Sequence, residues 1–174
     1  SNNLNNTNKP EFAIDSTAFG GIYAGRIKFI ATEDGVGVRT RSDLVASVDD
    51  IDFDVNGNII FEEEGSLQAK RNINLDNVNN INNNPNKTNA NIQNDRKIIN
   101  NSVIVSENDI NIKTNSIKNT NISSTKTTIN QETREITTEI LPTPTQTSLI
   151  FAKNNINLNA VRIENNDTNN NTNS

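Results

Sequence analysis

The chain has no cysteine, no methionine, no tryptophan and no histidine. Without thiols there is neither a disulfide framework nor a thiolate metal site. Without imidazole the commonest general base is missing, so catalysis would have to rest on carboxylates and cations alone. The lack of methionine leaves no initiator residue, so the 174 residues read as a processed or excised piece of a longer protein. The first ten residues hold no charged segment followed by an apolar one, which places any signal peptide upstream. Aromatic residues are only 4% of the chain. No apolar run approaches the ~20 residues that span a bilayer; the clusters at Ile59, Ile60, Phe61 and at Leu149, Ile150, Phe151, Ala152 are among the longest. A net charge of −5 and a pI near 4.8, with no basic stripe, argue against nucleic acid as a partner.

What is present is equally uneven. Asn makes up roughly a fifth of the chain, and Ile, Leu, Val and Phe together about a quarter, above the level at which disorder is the default. Ile dominates the apolar set, and its β-branched side chain suits a pleated, half-buried surface. Such a composition fills a core one or two side chains across better than a broad globular one. It points to an elongated β architecture.

Four stretches repeat one another: residues 43–54, 66–76, 102–113 and 148–159. Each opens on a small polar or acidic residue (Asp43, Ser66, Ser102, Ser148). An apolar–any–apolar triplet follows, then a polar turn, then Ile–polar–apolar (Ile51 to Phe53, Ile73 to Leu75, Ile110 to Ile112, Ile156 to Leu158). The third and fourth stretches match the first without a gap, and the second is one residue shorter. Both halves alternate with period two, the mark of a strand with one buried face. A further short strand follows several units, as at Asn58 to Phe61 and Val161 to Ile163. Three short strands per turn of about twenty residues is the arithmetic of a β-solenoid. Ile27, Ile51 and Ile73 are spaced at one coil per step, whereas wider gaps separate Ile73, Ile110 and Ile156. Stacked turns explain much of the Asn, which tolerates left-handed backbone and forms amide ladders; an AT-rich coding sequence would also raise it. Asn56-Gly57 reads as a tight turn.

The expected organisation is therefore a flexible lead-in over 1–11, β-helix coils over 12–76, and an Asn-rich insertion or degenerate coil over 77–101. A coil follows over 102–113, then a Thr/Ser-rich insertion over 114–147, a coil over 148–164 and a disordered tail over 165–174. Residues 125–140 alternate enough to form a side hairpin within the second insertion.

Residues 12–38 are the most specific part of the sequence. They carry Gly20-Gly21, Tyr23-Ala24 and Gly35-Val36-Gly37-Val38 in a fixed order across about thirty residues. This stretch resembles the junction between secretion domain and repeats in two-partner-secretion exoproteins. Those include filamentous haemagglutinins, haemolysin-type exoproteins and contact-dependent growth inhibition effectors. The downstream Ser-Leu-Gln-Ala (66–69) and Asn-Ile-Asn-Leu (72–75) units resemble the haemagglutinin repeat of the same proteins. The resemblance implies an all-β, right-handed parallel β-helix with Asn/Thr-rich loop insertions. It implies secretion to the bacterial cell surface with an outer-membrane transporter as export partner, and a receptor or glycan on a host or neighbouring cell as the contact. The function it implies is an adhesin shaft, with the stalk of a growth-inhibition or haemolysin-type toxin as the alternative; a polysaccharide-active β-helix enzyme is a remote reading that the resemblance does not supply. The absence of cysteine suits export across two membranes. The chain departs from the family in the middle, where the repeats are interrupted.

No catalytic, cofactor-binding or metal-ligating residue is assigned. Asp49, Asp50, Asp52 and Asp54 with Glu62, Glu63 and Glu64 supply oxygens of the kind calcium takes, but alternation on an extended strand makes a solvated face the expected reading. Arg39, Arg41, Lys70 and Arg71 lie near them in sequence, so a groove lined by both signs is conceivable. Gly35-Val36-Gly37-Val38 lacks the Lys and helix of a phosphate loop and reads as a turn and strand. Asn-x-Ser/Thr acceptor patterns occur at Asn5, Asn86, Asn100, Asn121, Asn166 and Asn170. Tyr23, Phe19 and Phe29 are expected to stack inside or cap the first coils rather than meet a receptor.

Overall fold

A computed structural model describes residues 12–16, 20–78, 96–120, 125–140 and 148–166. The expected lead-in lies outside these residues, as do Phe19 and most of the expected tail. The chain winds as a right-handed parallel β-helix. The first coil comprises β1 (Phe12–Ser16), β2 (Gly21–Ala24) and β3 (Ile27–Ala31); the second β4 (Gly37–Thr40), β5 (Asp43–Ala46) and β6 (Ile51–Val55); the third β7 (Ile59–Phe61), β8 (Ser66–Ala69) and β9 (Ile73–Asp76). The fourth holds β10 (Lys97–Asn100), β11 (Val103–Ser106) and β12 (Ile110–Lys113). The fifth begins with β13 (Ser116–Thr120), carries a hairpin of β14 (Thr125–Ile129) and β15 (Ile136–Ile140), and resumes with β16 (Leu149–Ala152) and β17 (Ile156–Asn159). Strand β18 (Arg162–Asn166) opens a sixth.

Corresponding strands stack in three parallel sheets: sheet A is β1-β4-β7-β10-β13-β18, sheet B is β2-β5-β8-β11-β16, and sheet C is β3-β6-β9-β12-β17. β10 thus lies within the stretch expected as the first insertion, β13 within the second, and Asn165 and Asn166 of β18 within the expected tail. Short, polar strands such as Ser116–Thr120 carry too little alternation to be recognised alone; the neighbours above and below hold them in place. Residues 125–140 form the antiparallel hairpin that their alternation predicts.

Inward residues build continuous columns along the axis. Sheet C supplies Ile27, Ile51, Ile73, Ile110 and Ile156, and beside them Phe29, Phe53, Leu75, Ile112 and Leu158. Sheet A supplies Val38, Ile59, Ile98, Ile117 and Ile163. The rings of Phe29 and Phe53 lie 4.8 Å apart, and Phe53 meets Phe61 edge-on at 5.4 Å. Later coils replace these rings with Leu, Ile and Asn. Ile51, Ile59, Ile73, Ile98, Ile104 and Ile110 are fully buried. Each such side chain is worth about 1.5–3 kcal/mol of hydrophobic burial.

Sheet B corrects the reading of the repeats. Its inward columns are Ile22, Leu44, Leu67, Ile104, Ile150 and Ala24, Ala46, Ala69, Ser106, Ala152. The turn between sheets B and C has four residues in the second coil (Ser47 to Asp50) but three in the next three coils. The gapless alignment of the third and fourth repeats with the first is therefore one residue out of register on this sheet. In a strand that slip exchanges the two faces. Val103, Val105, Leu149 and Phe151, which the apolar–any–apolar pattern assigns to the core, point outward. The physical reason is room: every coil places Ala or Ser at the second inward position, where Val or Phe would overfill the interior.

The corner between sheets C and A explains the glycine motif. Gly35 takes a left-handed conformation (φ 81°), Val36 is buried, and Gly37 starts β4. A side chain on Gly37 would collide with the backbone of Asn58, and one on Gly57 with the backbone of Val36 and Gly37. Asn56-Gly57 is a bend between two sheets, and the Asn56 amide donates to Thr32 O at 3.1 Å in the coil before.

Candidate functional site

The outer faces of the coils carry ordered arrays of polar side chains. On sheet C the outward column runs Lys28, Asp52, Asn74, Asn111, Asn157. Its amides form a ladder: Asn157 Nδ2 donates to Asn111 Oδ1 at 2.8 Å, Asn111 Nδ2 to Asn74 Oδ1 at 2.8 Å, and Asn74 Nδ2 to Asp52 Oδ1 at 2.7 Å. Arg26 closes it from the other side, donating to Asp52 Oδ2 at 3.0 Å. A carboxylate only accepts, so Asp52 orients every amide that follows. The Arg26 guanidinium is held above its usual pKa, chiefly by this hydrogen bond and then by the Asp52 charge. A second ladder starts at the wholly buried Asn100 and runs the opposite way: Asn100 Nδ2 donates to Asn119 Oδ1, and Asn119 Nδ2 to Asn165 Oδ1, each at 2.8 Å. A groove of about 520 Å³ runs beside the first ladder, lined among others by Asn74, Asp76, Asn111, Lys113, Asn157 and Asn159.

The acidic and basic residues do not converge. Asp52 and Asp54 point outward on sheet C, Asp49 and Asp50 occupy the corner between B and C, and Glu62 to Glu64 the corner between A and B. Lys70 and Arg71 accompany the first corner pair, Arg41 the second, and Arg39 faces outward on sheet A. Among the described residues no group of three or more carboxylates is placed to hold a metal ion. Asp50 Oδ1 accepts the Asn72 backbone N–H at 2.7 Å, and Asp109 Oδ1 accepts the backbone N–H of Asn155 at 3.0 Å, so these carboxylates stitch successive turns. Lys70 bonds Glu107 at 2.8 Å on the surface; the bond and charge of Lys70 hold the Glu107 carboxyl below its usual pKa and raise that of Lys70.

Of the acceptor patterns, Asn100 is disqualified as a modification site: its two amide N–H groups are shared among Ser102 O, Asn119 Oδ1 and Leu149 O, and its oxygen accepts from the backbone and hydroxyl of Ser102. Asn5, Asn86, Asn121 and Asn170 lie outside the described residues. Phe29 packs inward, as expected, but Tyr23 does not: it points outward and is 72% exposed.

Three features escaped the sequence. Arg96, 5% exposed, reaches from the third coil toward the first, donating to Asp34 Oδ1 at 2.9 Å and Asn56 Oδ1 at 2.7 Å. It seats the return of the first insertion, and nothing in local pattern separates it from any surface cation. Val103, Val105, Leu149 and Phe151 form a contiguous apolar block on the outer face of sheet B, with Leu149 43% and Phe151 51% exposed. The hairpin carries Ile129 opposite Ile136, and both are exposed.

The fold and its surfaces define a class, the parallel β-helix with polar ladders outside and an Ile-rich interior. Comparison with known proteins adds a direction. The chain is 37% identical over 51 residues to the tRNA nuclease CdiA-2 of Burkholderia pseudomallei (strain 1026b), covering 29% of this chain and 2% of that protein. It is 40% identical over 52 residues to the toxin CdiA of Yersinia pestis, covering 30% of this chain and again 2% of the relative. No family model matches the chain, and no solved structure matches it.

Proposed function

We propose that this chain is a length of the shaft of a secreted two-partner-secretion exoprotein of the contact-dependent growth inhibition kind, a stalk that holds an effector away from the producing cell. The observation that carries the reading is the similarity to two CdiA proteins in a chain that folds as stacked parallel coils. The segment works through length and surface and not through catalysis: each coil advances the rod by one strand spacing, roughly 4.8 Å. Export through an outer-membrane transporter and display at the bacterial surface belong to the same proposal, with a receptor or glycan on the target cell as its contact. The alternative is an adhesin shaft, favoured by the resemblance of residues 12–38 to the junction of filamentous haemagglutinins. Co-culture separates them. Producers of the full-length protein are mixed with unprotected target cells, alone and across a membrane that prevents touching. A contact-dependent fall in target viability, lost when residues 12–166 are deleted, supports the stalk; attachment with undiminished viability supports the adhesin and overturns it.

A further inference from the structure

Among the described side chains, Phe53 and Phe61 are buried and Phe29 packs against the core, which leaves two aromatic rings on the surface, Tyr23 and Phe151. Both stand in one outward column of sheet B that runs Tyr23, Val45, Gln68, Val105, Phe151, one residue per coil. Four coil steps, roughly 19 Å, separate them. The Tyr23 ring lies down along its own strand. A side chain at Gly21, two residues back on the same face, would place its Cβ 2.5 Å from Tyr23 Cε2, so the ring fills the space that the glycine leaves open. It lies over Gly21 instead of standing off the sheet, with most of its surface turned to solvent.

We propose that this column is the binding site of an uncharged, extended glycan, a β-linked chain of pyranoses that lies along the shaft axis with sugar rings stacked on Tyr23 and Phe151. A pyranose whose substituents are equatorial presents C–H bonds on its faces, which meet the electron-rich face of an aromatic ring, and hydroxyls around its rim. One unit of such a chain is about as long as one coil spacing, roughly 4.8 Å, so sugars and coils keep step along the column. Between the two rings Val45 and Val105 are half-buried and Gln68 is exposed. A groove of about 270 Å³ there is bordered by Ser47, Lys70 and Glu107. Gln68 Nε2 donates to Ser66 Oγ at 3.4 Å, which leaves its second N–H and its carbonyl oxygen for sugar hydroxyls.

Charge and size choose the ligand. The column itself carries no charge, and Lys70 and Glu107 beside it are paired at 2.8 Å, so the site does not call for an anion. The outer face of sheet B, five strands by four residues, is roughly 24 Å by 14 Å. That is under half of the ~800 Å² per partner that a stable protein interface covers, which argues against a second copy or another folded protein. The other apolar surfaces are of a different kind. Ile60 and Ile99 on sheet A are aliphatic and stand between Arg39 and Lys118. Ile156, Leu158 and Ile163 end the inward columns, and Val161 lies at the corner beside them. Neither group offers a ring. The inference deepens the cell-surface contact of the proposed function and rests on that reading for its setting; the purified chain tests it separately from co-culture.

The chain has one tyrosine and no tryptophan, so its intrinsic emission reports on Tyr23 alone. Titrating the whole chain with cellohexaose and with chitohexaose is expected to change that emission saturably, with a Kd on the order of 1 mM or tighter. In calorimetry, Tyr23→Ala and Phe151→Ala each weaken binding about tenfold, the loss of one stacked ring. Tyr23→Phe keeps the affinity, whereas Gly21→Val weakens it by displacing the ring without removing it. Ile60→Ala with Ile99→Ala on sheet A changes nothing. All these positions lie on outer faces, so far-UV CD stays as in wild type. No saturable change with either sugar overturns the proposal. So does binding that survives Tyr23→Ala, or binding that a heparin hexasaccharide matches. An emission change that follows protein concentration without sugar overturns it too, since a second copy would then hold the face.

Discussion

At the scale of single residues, this fold depends on polar groups that have no freedom to lose their partners. Asn100 is the sharpest case. It is wholly buried, and five hydrogen bonds satisfy both ends of its amide. Truncation leaves the N–H and hydroxyl of Ser102 and the oxygen of Asn119 without it, and each unsatisfied buried group costs about 1–3 kcal/mol. Asn100→Ala is expected to lower the unfolding free energy by at least about 2 kcal/mol, read from the urea midpoint at unchanged slope. Intact mass of native protein should show no sugar on this residue. The sequence presents Asn100 as one Asn among many; only its stacking under Asn119 and beside Leu149 gives it a role. Asp52, by contrast, stands in the sequence as part of an acidic run, and its task in the fold is to be the acceptor that points one amide ladder in a single direction.

At the scale of elements, the strands are ordinary and the corners are demanding. Ile-rich alternation makes β6, β9 and β12 recognisable as strands because one face is buried against the opposite sheets and the other is wet. Where the chain changes sheet, backbone meets backbone between coils, as at Gly37 beneath Asn58. Gly37→Ala forces that corner apart. It is expected to cost roughly 1–3 kcal/mol, the range for overpacking, although its position is not one of left-handed backbone. Gly35→Ala is strained for the different reason that φ there is 81°. Thermal unfolding of the two variants separates the causes: asparagine, which tolerates left-handed backbone, rescues position 35 but not position 37.

At the scale of the whole molecule, stability is close to a sum over neighbouring coils, because the strands of each coil pair with those of the coil before and the coil after. The longer reach of Arg96 to Asp34 is an exception. The same side chain in one column therefore counts differently by position. Ile73 lies in the middle of the stack and is fully buried, whereas Ile156 in the same column is 44% exposed. Ile73→Ala should cost about 2–5 kcal/mol, the usual range for a buried aliphatic truncation. Ile156→Ala should cost well under half of that, with urea unfolding of the two variants as the measure. The two insertions do not interrupt this stack: β9 leads to β10, and β13 to β16, with the shaft register kept on both sides.

The sequence by itself determined that the chain is a parallel solenoid. Period-two alternation, a recurring Ile–polar–apolar unit and a shortage of aromatic volume admit few other ways to bury apolar surface. It determined the inward columns of sheet C as well, since Ile–Asn–Leu offers one assignment of faces. It did not determine sheet B. Val103-Ile104-Val105 and Leu149-Ile150-Phe151 are apolar at three successive positions, so alternation cannot say which residues face in. The decision came from the stack, where Ala24, Ala46 and Ala69 leave room for Ser106 and Ala152 and for nothing larger. Tertiary structure alone turned Leu149 and Phe151 to the surface, because the size of a cavity between coils is a property of all the coils that line it.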